Sequence, residues 1–306
     1  MGEGGIVAAM FSDLITWYLF LGGLGSGAFL VYCVTEVLAA RTEDGWRYLS
    51  NVCLRPVLVV SLGALLVGCV CLLKDMARTE QVLLVFARVN LSPLSIGALS
   101  LTGLMVCLVL LIMSLYHRRL RRSWAVPAAK ALGVVLSLVV MTYTGFFLSG
   151  IAAVPLWTSP ALPALFVLSS LSSGIAVVLM VVSCQVLYPK AVARQMAALL
   201  KADGVLIVLE VACLAVMYFQ LGGSEAAQLS FESLVLGAYQ IAFVGGFLVC
   251  GLALPLALEL AAPFLPKRSL VFYIFVGSFI LVGAFFLRYC AINAGVHLSL
   301  FMLGGP

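Results

Sequence analysis

The chain has 306 residues, 64% of them hydrophobic and 9% charged, with a net charge of +5 and a mean hydropathy of +1.21. A soluble domain is roughly half apolar and about a quarter charged. There are too few polar side chains here to cover a surface facing water, so composition excludes a soluble globular domain and defines an integral membrane protein.

A helix of about 20 apolar residues crosses the hydrocarbon core, and runs of roughly 17–25 qualify. Eight segments do: Leu14 to Leu38, Pro56 to Leu73, Ile96 to Leu115, Ala131 to Leu148, Leu162 to Leu187, Val205 to Leu221, Leu234 to Leu258 and Leu270 to Leu287. Their apolar runs are continuous where barrel strands would alternate, so the expected fold class is all-α. The first segment follows a short leader containing Glu3 and Asp13. It lacks a basic n-region and exceeds an h-region in length, so it reads as a span and not as a signal peptide.

Lysine and arginine set the orientation. Thirteen of the 17 lie in the loops after helices 1, 3, 5 and 7; Lys74, Arg78, Arg88 and Arg288 lie on the other side. The positive-inside rule makes the first set cytoplasmic and places both termini outside. The positive charge is thus topological, and no nucleic-acid partner is expected. The nine cysteines are scattered, with no CxxC pair and no zinc or iron–sulphur spacing, so no metal is expected in this chain.

In chain order, helix 1 carries WYLFLGGLGSGAFL, Trp17 to Leu30. No strand precedes its glycines, which rules out a dinucleotide loop. Gly22/Ser26 and Gly23/Gly27 are instead small residues four apart, which admit another backbone or a flat ligand. Helix 2 ends in Lys74, Asp75 and Arg78, an acid between two bases at the interface and a candidate for a protonatable group. The following loop holds Val82 to Phe86, apolar enough for an interfacial helix. Ser92-Pro93 suits the start of helix 3. That helix finishes in His117 to Arg122, a basic anchor at the lipid surface. Helix 4 ends in a stretch without charge, Met141 to Pro163, whose outer loop bears Trp157 and looks covered by protein or embedded in the interface. Glu210, six residues into helix 6, needs a reason for its depth and is a candidate for a proton route. Glu36 and Glu259, nearer cytoplasmic ends, read as snorkelling. Helix 8 ends in FLRYCAINAGVH, placing Arg288, Asn293 and His297 at the outer face.

Tyr18 lies four residues inside the outer end of helix 1, about 6 Å down, and Tyr143 five residues inside that of helix 4, about 7.5 Å down. Asp75 and Arg78 mark the outer end of helix 2, and Ser92 the outer start of helix 3. Four successive helices thus offer hydrogen-bonding groups at one depth, the polar content expected of an apolar small-molecule pocket. Only His117 and His297 are present, on opposite faces. They cannot form one bis-histidine haem site, so no haem is expected.

These motifs carry a resemblance. WYLFLGGLGSGAFL, the Asp75-x-x-Arg78 pair ahead of Asn90 to Ala98, YTGFFLSGIAAVPLW on helix 4 and RYCAINAGVH at the end are similar, in that order, to the polysulphide reductase/NrfD-type membrane subunits. The resemblance implies two four-helix bundles: residues 1–148, which bind quinone, and 163–306, joined by an outer loop over 149–162. It implies a multi-pass subunit of a prokaryotic cytoplasmic (inner) membrane that serves anaerobic respiration. Electrons would pass between menaquinone, or another quinone, and a four-cluster ferredoxin-type iron–sulphur subunit docked on the outer face, with a molybdopterin catalytic subunit beyond it. The protein would act as the quinone/quinol oxidoreductase subunit, with no terminal-substrate active site of its own. Tyr143 matches a quinone-bonding tyrosine of the family, and Tyr18 stands where some members carry histidine. Asp75 then becomes the proton-exchanging group and Arg78 its setting, with Ser92 and Gly22 beside the ring. Two other readings are a secondary transporter, for which no inverted repeat is visible, and a purely structural membrane anchor.

Overall fold

The computed structural model describes residues 13–41, 44–50, 54–75, 93–149, 157, 159–185, 189–221, 234–237, 239–262 and 270–293. Eight long helices account for nearly all of them: α1 (Asp13–Arg41), α2 (Arg55–Asp75), α3 (Pro93–Tyr116), α4 (Ala125–Ser149), α5 (Ala161–Gln185), α6 (Pro189–Leu221), α7 (Ile241–Ala261) and α8 (Leu270–Asn293). Short helical turns occur at Asp44–Tyr48 and Arg118–Arg121. No strand occurs among the described residues. An all-helical protein is what lipid demands, because helices satisfy their backbone polar groups internally.

Seven of the eight, all but α6, are long and apolar enough to cross a membrane. The remaining expected segment, Val205 to Leu221, forms the second half of the 33-residue α6. At one end of α6 the Gln195 side chain packs against Gly45, in the turn after α1. At the other end Ser159, just ahead of α5, donates a 2.7 Å hydrogen bond to Gln220 Oε1. Twenty-five residues separate the two glutamines, about 37 Å of helix.

The helices are longer than their apolar cores. Asp13 opens α1 and Arg41 lies in its last turn, each charge favourable to the helix dipole there. Pro127 sits in the first turn of α4, where its missing N–H costs nothing. The segment expected as an ordinary α-helix from Leu234 differs: Ile241–Ala253 is π-helical. Such runs are rare and usually one turn long. Within it Gly251 meets Gly283 of α8 backbone to backbone, leaving no room for a Cβ on either.

α1 and α5 form the buried centre. α1 packs on α2, α4, α5 and α8, and α5 on α1, α4, α6 and α8. They cross where Gly27 faces Gly174; a methyl on either would overlap the other helix's backbone. The small-residue register expected on helix 1 therefore does packing work, as membrane helix pairs require. Ser61 Oγ on α2 donates to Gly25 O at 2.6 Å, a second close crossing. The peripheral helices turn Val59, Leu66, Val67, Val106, Val109, Val135 and Leu138 outward. Such apolar exposure suits lipid as the surrounding solvent.

Candidate functional site

Tyr18 lies in the second turn of α1 and Tyr143 six residues before the end of α4, both nearly buried. Their hydroxyl groups are hydrogen-bonded to each other. α1 and α4 pack side by side, so the equal depth counted along the sequence becomes contact. The Tyr143 ring lies against Gly97 of α3, where an added Cβ would overlap the ring at Cε2, Cδ2 and Cζ. That glycine, in the segment quoted before helix 3, lets the ring lie against α3.

The pair opens on a cavity of about 180 Å³. Its polar wall is Tyr18, Asp75, Tyr143 and Thr144; Leu19, Leu72, Phe147 and Ile292 supply the apolar remainder. Asp75, the last residue of α2, is half-buried and faces the same space. Residues of α1, α2, α4 and α8 thus meet at one point. A cavity of about 150 Å³ holds a benzene ring, so this mainly apolar one has room for a flat aromatic group.

The other expected site residues fall elsewhere. Gly22 is buried in α1, does not line the cavity, and would have nothing within 4 Å of an added Cβ. Arg78 and Ser92 lie outside the described residues, as do His297 and most of the outer loop. Thr144, Phe147 and Ile292 join the site without a counterpart in the sequence reading. Thr144 and Phe147 follow Tyr143 at neighbouring and i+4 positions within the quoted helix 4 motif, which is the signal that could have found them.

Arg288 requires a correction. Placed at the outer face by counting, it is 2% exposed and points into the protein between α1, α5 and α8. Its guanidinium donates to Leu19 O (3.2 Å), Ala284 O (2.8 Å), Ser169 Oγ (3.2 Å) and Ser170 Oγ (2.8 Å). It also stands 5.7 Å from the centre of the Phe166 ring. Leu19 lines the tyrosine cavity, so this buried cation is one peptide away from Tyr18.

Behind Arg288 lies a second polar line. Glu210 is 4% exposed, and it is the carboxylate whose field reaches Arg288. Asp203, seven residues earlier and on the same face of α6, is fully buried. Glu259 of α7 lies against Asp203 and Gly204. The Ser172 hydroxyl and the Glu259 carboxyl are the groups that face the Asp203 carboxyl. The expected snorkelling of Glu259 is therefore corrected: both its oxygens turn inward. Glu36 does not simply snorkel either, because it is paired with Lys130 of α4 at 2.5 Å. Trp157 is buried, and its indole donates to Ala291 O at 2.6 Å, tying the link between α4 and α5 onto α8.

An all-helical assembly in which seven helices are long and apolar enough to cross a bilayer is a multi-pass membrane protein. The chain belongs to the NrfD polysulphide reductase family, whose model matches residues 7–298. It is 27% identical over 304 residues to the C subunit of the polysulfide reductase of Wolinella succinogenes, covering 92% of each protein. It is also 29% identical over 163 residues to the NrfD homologue of Haemophilus influenzae, covering 53% of this chain and 50% of that one. Protein NrfD of Escherichia coli is 29% identical over 185 residues, 54% of this chain and 57% of its own.

Proposed function

We propose that the protein is the membrane subunit of a respiratory oxidoreductase complex and exchanges electrons between a membrane quinone, menaquinone by preference, and a docked iron–sulphur subunit. The observation that carries this reading is the hydrogen-bonded Tyr18–Tyr143 pair sharing one apolar cavity with Asp75. Family membership and the likeness to one subunit of a polysulfide reductase support the setting in a redox complex. A quinol releases two electrons and two protons. The tyrosine hydroxyls would hold its oxygens, Asp75 would exchange a proton with the outer aqueous face, and Arg78 would fix the charge of Asp75. The electrons would leave to a four-cluster ferredoxin-type partner on that face, beyond which a molybdopterin subunit handles the terminal substrate.

In this reading all eight helices cross the cytoplasmic membrane, with both termini outside. The 37 Å or so between Gln195 and Gln220 exceeds the hydrocarbon core of about 30 Å, and α6 turns Val205, Val208, Leu209, Val211 and Val216 outward, as a lipid-facing helix would. The two four-helix groups of this reading are α1–α4 and α5–α8, joined through the close crossing of α1 and α5. Glu210 joins a proton route with Asp203 and Glu259. Two buried carboxylates in contact resist simultaneous ionisation, and a pair holding one proton can pass it on.

The test is to purify the complex from membranes, identify the co-purifying subunits and measure bound quinone. Binding of a menaquinol analogue by the wild type, weakened in Tyr143→Phe, supports the reading. No binding, with assembly intact, leaves a structural anchor; solute uptake into proteoliposomes by the isolated protein would make it a transporter.

A further inference from the structure

A second cavity, of about 160 Å³, lies at the opposite end of the first four helices. Tyr32 at its base is fourteen residues along α1 from Tyr18, about 21 Å. Charged and polar groups make up much of its wall: Glu36, Ser50, Arg55, Arg121 and Lys130 join Tyr32. The quinone reading gives this cavity no role.

Its charges do not balance. Lys130 cancels Glu36 through the 2.5 Å ion pair between α4 and α1. Arg55 begins α2 and Arg121 ends the short turn after α3, and both line the same space. Among the described residues neither makes an ion pair or a side-chain hydrogen bond. Two guanidinium groups facing one small polar cavity repel each other unless an anion lies between them. Their planar forks match the oxygens of a phosphate, which each can grip with two N–H groups.

The remaining wall indicates where that phosphate comes from. Leu111, Leu115 and Val126 line the cavity beside the arginines, and a free anion gains nothing from them. Tyr116 and Trp124, at the adjoining ends of α3 and α4, are 80% and 81% exposed. Exposed aromatics of this kind mark the headgroup level of a bilayer. Basic pockets between membrane helices are receptors for anionic lipid head groups.

We propose that this pocket binds the phosphate of an anionic diacyl phospholipid, with Arg55 and Arg121 on the phosphate oxygens and the lipid's glycerol end against Leu111, Leu115 and Val126. The lipid would close the end of the α1–α4 group remote from the tyrosine cavity. It would also lock the turn after α3 to the start of α2.

The experiment uses the full protein with its partner subunits, extracted in mild detergent, and counts retained phospholipid by mass spectrometry. Delipidated protein is then titrated in nanodiscs of phosphatidylcholine with increasing phosphatidylglycerol, following thermal stability. The wild type should retain anionic lipid and gain stability with phosphatidylglycerol. Each arginine lost should weaken the effect about fivefold, so R55Q/R121Q loses roughly 25-fold. R118Q/R119Q removes the same charge from the exposed basic anchor outside the cavity and should weaken the effect less than R55Q/R121Q; an equal loss in the two variants overturns the proposal. If R55Q/R121Q does not assemble, R121Q alone carries the test with its fivefold loss. Equal lipid retention by wild type and the Arg121 variants overturns the proposal. So does stabilisation by inorganic phosphate equal to that by phosphatidylglycerol, because the site would then take a free anion.

Discussion

The hydroxyl of Tyr18 on α1 is hydrogen-bonded to that of Tyr143 on α4, across 125 residues of sequence and inside an apolar wall. A buried hydroxyl needs a partner, and here each supplies the other's need. A ligand carbonyl entering the cavity can be offered one of these O–H groups without stranding the other, because a hydroxyl both donates and accepts.

Tyr143→Phe removes one member of the pair and leaves the ring packed on Gly97. Quinol turnover should fall at least tenfold while the complex still assembles, the lost hydrogen bond costing about 1 kcal/mol of stability. Turnover with a menaquinol analogue, set against the amount of assembled complex, checks this. Because the two hydroxyls bond each other, Tyr18→Phe combined with Tyr143→Phe should cost less than the sum of the single changes. Loss of assembly in Tyr143→Phe would assign the residue to folding.

Gly97→Ala places a methyl group into the Tyr143 ring. The ring must tilt away from α3, at about 1–3 kcal/mol for the overpacking, and its hydroxyl moves with it. Turnover should drop about as far as in Tyr143→Phe although no polar atom has been removed. If Gly97→Ala turns over as the wild type does, the position of the ring does not matter.

Asp75→Asn keeps the shape of the cavity wall and deletes the exchangeable proton. Turnover should slow more than ligand affinity weakens, and the pH dependence of the rate should flatten. Rates at several pH values, with the dissociation constant of an unreactive analogue measured alongside, separate the two effects. An unchanged pH profile removes Asp75 from proton exchange.

These residues are legible in the sequence to different degrees, for physical reasons. Continuous apolar runs locate the helices because lipid tolerates little else. Counting from helix ends brings Tyr18 and Tyr143 to one depth because rise per residue is constant. Counting cannot tell which way a side chain points. Arg288 sits near a helix end, but its acceptors come from Ser169, Ser170 and Leu19, more than a hundred residues away. Asp203 follows Lys201 and has the look of a hydrated turn, yet α6 begins twelve residues before Lys201 and buries Asp203 against Glu259. No compositional signal marks the π-helical winding of Ile241–Ala253, within which Gly251 meets Gly283 of α8 backbone to backbone.

Arg288 and Glu210 supply the last test. The guanidinium is fully enclosed and satisfied by two carbonyl and two hydroxyl acceptors that carry no charge, and it forms no ion pair with the buried Glu210. Removing the guanidinium leaves its four buried acceptors without their donor, and each acceptor so stranded costs about 1–3 kcal/mol. Arg288→Met should therefore lower the thermal stability of the complex sharply and disturb the Leu19 carbonyl beside the tyrosine cavity. Arg288→Lys should restore only part of the loss, since an ammonium cannot reach all four acceptors in the plane of a guanidinium. Glu210→Gln in the Arg288→Met background should recover some of the stability if Glu210 senses the guanidinium. The double-mutant cycle measures that coupling. Additive losses in the cycle would mean that Arg288 acts through its hydrogen bonds alone, and that charge on Glu210 is not sensed at the cavity.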